Sequence, residues 1–200
     1  MHLAAVQLLV TDHKLLMRII AGHYGGRRLH SPTGNATRPT SDRLRETLFN
    51  ILAPRLPSAR FLDLCAGTGA VGLEALSRGA AHATFVEHSR KMCSLIRQNL
   101  TSLAVPDEAA TLLCQEAADF LRRALRQDLA AWDVVYFDPP YQMDYTPVLE
   151  LLSAPQVLAA DGLVIAEHHT KKELPELSGN LRRWRYLRQG DASLSFYEHG

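Results

Sequence analysis

Short apolar runs and helically spaced apolar positions alternate along the chain from residue 60 onward. Five runs are short and continuous, as buried strands are: 61–64, 83–87, 111–114, 132–137 and 163–166. Between them, apolar residues lie three and four positions apart, which is typical of one-sided helices. Helices are expected in four places: from a glycine loop to about Arg78, across 92–103, across 117–125 and across 149–158. Two later apolar segments predict a closing hairpin: 184–187 and 194–197. Strands joined through helices predict an α/β protein with a doubly wound, mostly parallel sheet.

The N-terminal part of the chain follows another pattern. Residues 17–30 place short apolar stretches on either side of a glycine-rich turn, which predicts a β-hairpin. A polar loop is expected over 31–40, followed by a one-sided helix over 41–53. We therefore expect a small N-terminal unit over 17–58 and an α/β domain over 59–200.

Charge is distributed unevenly, although the whole chain carries only +1. Residues 1–60 hold nine Lys and Arg against three Asp and Glu, a balance of +6, and the remainder has a balance of −5. Within that remainder, residues 171–188 are basic again, with six Lys and Arg against two Glu. Basic charge at both ends suggests a polyanionic partner, and a merely solvated basic face is the alternative.

Cysteine usage and hydropathy indicate the compartment. The three cysteines are widely spaced, show no zinc-ligand spacing and do not suggest a disulfide framework. No run approaches the roughly 20 apolar residues that a membrane helix needs, and no secretory signal is recognisable. We expect a cytoplasmic protein without a metal site.

A glycine-rich loop, Asp63 to Gly72, directly follows the first strand. Gly67, Gly69 and Gly72 satisfy the G-x-G-x-x-G pattern of dinucleotide-binding loops, which is weak evidence alone. Asp63 argues against a dinucleotide, because a carboxylate there would repel a pyrophosphate. It favours a ligand that carries an ammonium or sulfonium group.

Acidic residues at the ends of the next strands complete the pattern. Glu87 lies twenty residues after Gly67, where an acid holds both hydroxyls of a ribose. Glu116 and Ala117 follow the third strand and are placed to meet an adenine. The expected ligand therefore has a ribose and a positive group and needs no phosphate. S-adenosylmethionine fits this description. The candidate cofactor-binding residues are Asp63, Cys65, Ala66, Gly67, Thr68, Gly69, Glu87, His88, Glu116 and Ala117.

The tetrapeptide Asp138-Pro139-Pro140-Tyr141 follows the fourth strand, at the sheet edge where α/β proteins bind ligands. Proline has no N–H, so these carbonyls can face a ligand instead of continuing a ladder. Asp138 and the Pro139 carbonyl would accept hydrogen bonds from a base amino group, and Tyr141 would stack on the base. We expect Asp138, Pro139, Pro140 and Tyr141 to be catalytic. An ordinary turn after a strand is the alternative.

These two motifs resemble the cofactor and catalytic motifs of class I amino-group methyltransferases. The segments Met17 to Gly22, Gly26 to Leu29 and Arg38 to Asn50 are similar to the N-terminal signature of the bacterial 16S ribosomal RNA guanine-N2 methyltransferases, the RsmD-like family. Gly72 to Ala80 and Phe85 to Glu87 match it as well.

The resemblance implies a Rossmann-like class I methyltransferase fold with seven strands, the last one antiparallel. It implies transfer of a methyl group from S-adenosylmethionine to the N2 amine of one guanine in 16S ribosomal RNA, within the 30S subunit or an assembly intermediate. It implies RNA contacts by Arg27, Arg28, Arg38 and Arg43. A monomer is expected.

The sequence departs from the family pattern at three places. Glu116 stands where Asp is more usual, and Cys65 where an aromatic residue is more usual. Residues 1–16 have no counterpart, so we expect a non-native or unstructured extension, with Met17 as the natural start.

Other functions stay open at this point. A DNA amino-methyltransferase acting on adenine N6 or cytosine N4 would use the same tetrapeptide. A non-catalytic ribosomal RNA-binding assembly factor and a nicotinamide-dependent oxidoreductase are further alternatives, and Asp63 disfavours the oxidoreductase.

Overall fold

The computed structural model describes residues 17–32, 41–127, 131–140 and 142–200. The expected extension over residues 1–16 lies outside them. The helices are α1 (Asp42–Leu52), α2 (Ala70–Ser77), α3 (Arg90–Leu103), α4 (Ala117–Ala124) and α5 (Thr146–Leu152). Short 3-10 turns lie at Ala53–Arg55 and Asp107–Ala109. The strands are β1 (Arg60–Leu64), β2 (His82–Glu87), β3 (Ala110–Cys114), β4 (Trp132–Phe137), β5 (Leu158–His169), β6 (Leu177–Ser178), β7 (Leu181–Gln189) and β8 (Ala192–His199).

All of these strands belong to one sheet in the order β3-β2-β1-β4-β5-β8-β7-β6. The five strands from β3 to β5 are parallel, and β8, β7 and β6 add antiparallel pairings. The strand order reverses between β1 and β4, which is the switch point where open α/β sheets bind ligands. The doubly wound sheet and its antiparallel last strand are confirmed. The expected seven strands are eight among the described residues, because the two-residue β6 pairs with the start of β7.

Apolar side chains cover both faces of the sheet. On one face, β1, β4 and β5 pack against α1, α2 and the N-terminal segment, whose Ile19 and Leu29 are buried. On the other face, α4 and α5 cover the sheet through Phe120, Leu121 and Leu149. Burial on both faces explains why the central strands are mostly apolar rather than alternating.

Residues 17–30 form a hairpin-like turn with much less strand than predicted. A single antiparallel bridge joins Arg18 to Arg28. Backbone hydrogen bonds cross the turn from Ile19 N to Arg27 O (3.0 Å) and from Leu29 N to Met17 O (2.8 Å). The turn is also held by α2, whose fully buried Glu74 accepts hydrogen bonds from Ile20 N (2.7 Å) and Ala21 N (3.0 Å). Side-chain anchoring therefore supplements a short backbone pairing here.

Two further expectations were wrong. The helix predicted over 149–158 is α5, which begins earlier because Pro147 suits a first helical turn. It ends at Leu152, before Pro155.

Cys93 and Cys114 form a disulfide between α3 and the end of β3. Their separation of 21 residues concealed this pairing, since only the fold brings both beside the end of β2.

Candidate active site

The glycine loop turns sharply between β1 and α2. Three of its residues adopt left-handed backbone conformations: Cys65 (φ 63°), Gly67 (φ 56°) and Gly69 (φ 77°). Gly69 N donates to Ala66 O at 2.7 Å, and Ala66 N donates to Val86 O at 3.1 Å. The loop therefore lies against the end of β2, and its glycines meet a real conformational demand.

Asp63 lies beneath this loop and is 2% exposed. Its Oδ2 accepts a hydrogen bond from Gly72 N, in the first turns of α2, at 2.9 Å. Burial raises the pKa of Asp63 to about 8, against a lowering by the Gly72 hydrogen bond and with a further rise from the Glu87 charge. A cation beside Asp63 would relieve this burial cost, so the residue fits an ammonium-bearing ligand.

Glu87 connects the glycine loop to α3. Its Oε2 accepts from Gly67 N at 2.8 Å and its Oε1 from Ser89 N at 2.8 Å. The Nδ1 atom of His88 lies 3.3 Å from Oε1. The carboxylate is therefore fixed at the tip of β2, where it could contact a ligand bound by the glycine loop.

The predicted acids converge on Cys65. Burial raises the pKa of this thiol, and four neighbouring carboxylates raise it further: Glu87, Asp138, Asp63 and Glu116. These residues come from the ends of four different strands, and the fold gathers them at the switch point. Glu116 is exposed and precedes α4, in which Ala117 is buried.

Thr68 connects the loop to the N-terminal segment. Its Oγ1 lies 3.1 Å from the Met17 sulfur, and its carbonyl accepts from Asn99 Nδ2 at 3.0 Å. The same Asn99 side chain, fully buried in α3, bonds His30 N (2.6 Å) and His30 O (3.1 Å). One amide thus fastens the N-terminal segment to the loop.

Asp138 stands at the end of β4 beside the glycine loop. Its N–H donates to Leu64 O at 3.2 Å. Burial raises the pKa of the Asp138 carboxyl well above its usual range, and the charges of Glu167 and Asp63 add to that rise. Pro139 is buried, Pro140 is exposed, and Tyr141 lies outside the described residues.

Glu167 is a site residue that the sequence reasoning missed. It directly follows the register pair Phe137–Ala166, as Asp138 does on the neighbouring strand. It is 4% exposed, and its carboxylate accepts a hydrogen bond from the Tyr136 hydroxyl. An acid straight after the apolar run 163–166 was the signal that could have identified it.

The arginines predicted to face RNA occupy different settings. Arg28 and Arg43 are exposed. Arg27 donates to Leu103 O at 2.9 Å and to Ser102 O, so it also caps the C-terminal end of α3. Arg38 lies outside the described residues.

Across the described ranges, no group of three or more His, Cys, Asp or Glu side chains is arranged to hold a metal ion. None of the helices in this part of the chain has the length and apolar character needed to cross a bilayer.

Comparisons with known proteins agree with this geometry. The family described as conserved hypothetical protein 95 matches residues 17–198. Ribosomal RNA small subunit methyltransferase D of Escherichia coli K12 is 36% identical over 183 residues, which cover 91% of this chain and 89% of that protein. The solved structure of a hypothetical protein from Thermus thermophilus has a TM-score of 0.79 at 32% identity, covering 92% of this chain and 99% of that one.

A more distant structure shares the fold alone. SMU.776, solved in complex with S-adenosylhomocysteine, superposes with a TM-score of 0.65 at 15% identity, over 76% of this chain and 48% of its own. The architecture is that of a class I methyltransferase.

Proposed function

Because the chain belongs to the family described as conserved hypothetical protein 95, we propose that it methylates 16S ribosomal RNA with S-adenosylmethionine as donor, at the N2 amine of a guanine. The observation that carries the proposal is the convergence of Asp63, Glu87 and Asp138 on one loop at the switch point. The name of the Escherichia coli relative supports the RNA class. The choice of guanine N2 rests on the resemblance of the N-terminal signature.

The residues around the glycine loop fit the cofactor. S-adenosylmethionine, when bound, supplies an electrophilic methyl group on a sulfonium. Asp63 would hold its ammonium, Glu87 its ribose hydroxyls, and the part of the glycine loop around Thr68 its carboxylate. Glu116 and Ala117 would border the adenine, and Cys65 and His88 would lie beside the same ligand. Ala66 contributes backbone only.

The proposed catalytic step needs acceptors rather than a strong base. Asp138 and the carbonyl of Pro139 would accept the two N–H bonds of the guanine amine, so that its lone pair is turned toward the methyl group. The same acceptors would stabilise the positive charge that grows on nitrogen during attack. Pro140 would rigidify this turn, and Tyr141 would stack on the flipped base. The proton leaves after transfer.

The basic N-terminal unit supports a polyanionic partner. Arg27, Arg28, Arg38 and Arg43 would contact RNA, with the 30S subunit or an assembly intermediate as the substrate. The reaction would take place in the cytoplasm, where that substrate is found, and a monomer would suffice because these residues and the site belong to one chain.

A labelled-methyl assay tests the proposal directly. The protein is incubated with labelled S-adenosylmethionine and, in separate reactions, with methyl-free 30S particles, naked 16S RNA, tRNA and duplex DNA. We expect label in 30S or 16S RNA, located on guanine N2 by mass spectrometry of the digested RNA. Transfer to DNA alone would identify an amino-methyltransferase of DNA. RNA binding without any transfer would identify an assembly factor.

Asp138 provides the matched variant for this assay. Asp138→Asn keeps the shape but removes an anionic acceptor, so turnover should fall about 100-fold or more, while cofactor affinity changes little. Asp161→Asn, an exposed change near the opposite end of the sheet, should leave both unchanged. Normal turnover of Asp138→Asn would contradict the assigned chemistry.

A further inference from the structure

Exposed apolar surface is concentrated on the outer strands of the sheet. Among the described residues, the large apolar side chains that stand exposed are Leu177 (67%), Trp184 (46%) and Tyr186 (48%), all on β6 or β7. The nine residues of β7 also include four arginines and no acidic residue. The candidate active site uses none of these side chains.

Strand register separates the two faces of β7. Leu177 pairs with Arg182, and Arg185 pairs with Phe196 on β8. The Trp184 ring lies 5.8 Å from the Phe196 ring, and the Arg185 guanidinium lies 5.9 Å from its centroid. These contacts place one set of side chains on a common face, which we name the β7 strip: Leu177, Arg182, Trp184 and Arg185.

Tyr186 belongs to the opposite face. Its hydroxyl and the Ser193 hydroxyl are hydrogen-bonded at 2.7 Å, and Arg183 lies 5.9 Å from its ring. Arg183 also pairs with Glu176 at 3.6 Å. Tyr186 and Arg183 therefore already have partners on their own face. The accessible aromatic and basic side chains are those of the β7 strip.

The β7 strip continues the surface of α1. Thr47 Oγ1 on α1 lies 3.5 Å from Gln189 Oε1 at the end of β7. Arg43, one turn earlier, accepts a hydrogen bond through its carbonyl from Thr47 Oγ1 at 2.9 Å. Ala192, which follows the β7–β8 turn, pairs with His169 at the end of β5. β7 therefore ends near the ligand-binding edge of the sheet, and the strip lies along the first half of the same strand.

The bulge in β7 shapes the strip for stacking. The register of β7 with β8 shifts between Arg183 and Arg185, so Trp184 is the extra residue. A bulge turns a side chain out of the regular pleat and increases the local twist. Glu198, an acid on this face, lies opposite Arg182 in the register and is also paired with Arg55 at 3.9 Å. Arg185, opposite Phe196, therefore keeps its positive charge beside the Trp184 ring.

We propose that the β7 strip binds unpaired nucleotides of the RNA substrate. Trp184 stacks on a base, while Arg182 and Arg185 contact phosphates on either side of it. Aromatic platforms flanked by arginines are the usual means of holding single-stranded nucleic acid without reading its sequence. The identity of the RNA rests on the proposed function, whereas the binding surface rests on the geometry of β7.

Tryptophan fluorescence tests the stacking directly. The chain has two tryptophans, and Trp132 is buried, so Trp184 is the exposed reporter. Titration with methyl-free 16S RNA fragments should quench Trp184 emission, and Trp184→Phe should supply the signal of Trp132 alone. Binding is followed independently by the anisotropy of labelled RNA. Unchanged Trp184 emission at saturating RNA would overturn the proposal.

Affinity measurements complete the test. Trp184→Ala should weaken RNA binding about fivefold or more, and Trp184→Phe should recover most of it. Arg185→Gln should lower the slope of log affinity against log salt by about one. Arg123→Gln, an exposed arginine on α4, is the matched control and should change neither. Affinities and slopes equal to wild type for the strip variants would overturn the proposal.

Two further outcomes separate RNA binding by the strip from a protein contact and from the proposed enzymatic function. If the strip variants bind naked RNA normally but lose methylation of 30S particles, the strip contacts a ribosomal protein and the RNA assignment is wrong. If Trp184 is quenched by RNA while no methyl transfer occurs to any substrate, the strip is supported and the proposed enzymatic function fails.

Discussion

At the residue scale, the site is defined by carboxyl groups whose burial works against their ionisation. Asp63 and Asp138 both have a raised pKa, chiefly through burial, and each is raised further by another acid of the site. Such crowding of acids is tolerated because a positively charged ligand or a donor-rich base is expected to neutralise it.

The raised pKa of Asp63 leads to a prediction about proton release. Near pH 7 a carboxyl with a pKa of about 8 is largely protonated, and a ligand ammonium would lower that pKa. Cofactor binding should therefore release a proton. Isothermal calorimetry in phosphate and Tris should give different heats for the wild type and equal heats for Asp63→Asn. Buffer-independent heats for the wild type would contradict the contact.

Glu167 should set the pH dependence of transfer. Its negative charge raises the pKa of Asp138, and only the ionised Asp138 is the stronger acceptor, so activity should rise with pH. Glu167→Gln removes that charge, lowers the pKa of Asp138 and should move the half-maximal point to lower pH. Glu150→Gln, exposed on α5, serves as the control. A profile that does not move would assign Glu167 a purely structural function.

Gly72 is predicted to tolerate no side chain. Replacing an interior helical glycine with alanine ordinarily stabilises a helix by about 1 kcal/mol. Here the added Cβ would lie 2.3 Å from Phe85 Cε1 and 3.1 Å from Asp63 Oδ2. Gly72→Ala should therefore destabilise the fold by about 1–3 kcal/mol in urea unfolding. Adding Phe85→Leu should recover part of the loss, and a stabilised single variant would exclude the clash.

At the element scale, the N-terminal segment and the glycine loop are parts of one structure. Asn99 on α3 bonds His30 in the segment and Thr68 in the loop. Glu74 and Ser77 on α2 hold the preceding residues of the segment. The basic unit is thereby fixed against the cofactor site by buried polar contacts rather than by strand pairing.

Asn99→Ala should weaken both stability and cofactor affinity. It removes bonds to one N–H and two carbonyls in a buried setting, which corresponds to about 2–4 kcal/mol of unfolding free energy. Gln98→Ala, the exposed neighbour on α3, should have little effect. Thermal unfolding and cofactor titration measure the two quantities. Loss of stability without loss of affinity would show that the loop does not depend on this amide.

Sequence patterns predicted the elements whose surroundings are simple. β1, β2 and β4 were predicted correctly because burial on both faces makes most of their residues apolar. β6 could not be predicted from the sequence, since a strand of two residues is too short to show an alternation of apolar and polar positions. The apolar pattern of α3 gave no sign that Asn99 is buried, and the N-terminal segment that packs over it explains its burial.

The candidate site was predicted where a motif lies within one loop, as from Asp63 to Gly69. Glu167 joins the site through strand pairing and was missed, because its proximity to Asp138 and its hydrogen bond with Tyr136 depend on register. Arg27 was assigned to RNA by the resemblance of its segment to the family signature, and that resemblance did not indicate that it also caps α3.

At the scale of the whole molecule, the N-terminal arginines differ in whether they also support the fold. Arg28 and Arg43 are exposed, whereas Arg27 also caps α3. Arg28→Gln with Arg43→Gln should reduce the salt slope of RNA binding by about two and leave thermal stability unchanged. Arg27→Gln should lower the melting temperature as well, because it removes the cap of α3. Filter binding across a salt series and calorimetry check these outcomes. Equal behaviour of the two variants would contradict the division.

The anchoring of the N-terminal segment also bears on how the chain matures during synthesis. Ile20 bonds a residue 54 positions later, and His30 one 69 positions later. At translation speeds of about 5–20 residues per second, the basic segment leaves the ribosome roughly 3–14 s before its partners do. During that interval it is an unfolded cationic strand close to ribosomal RNA. Nascent copies therefore depend on the arrival of α2 and α3 to withdraw this segment from unintended contacts.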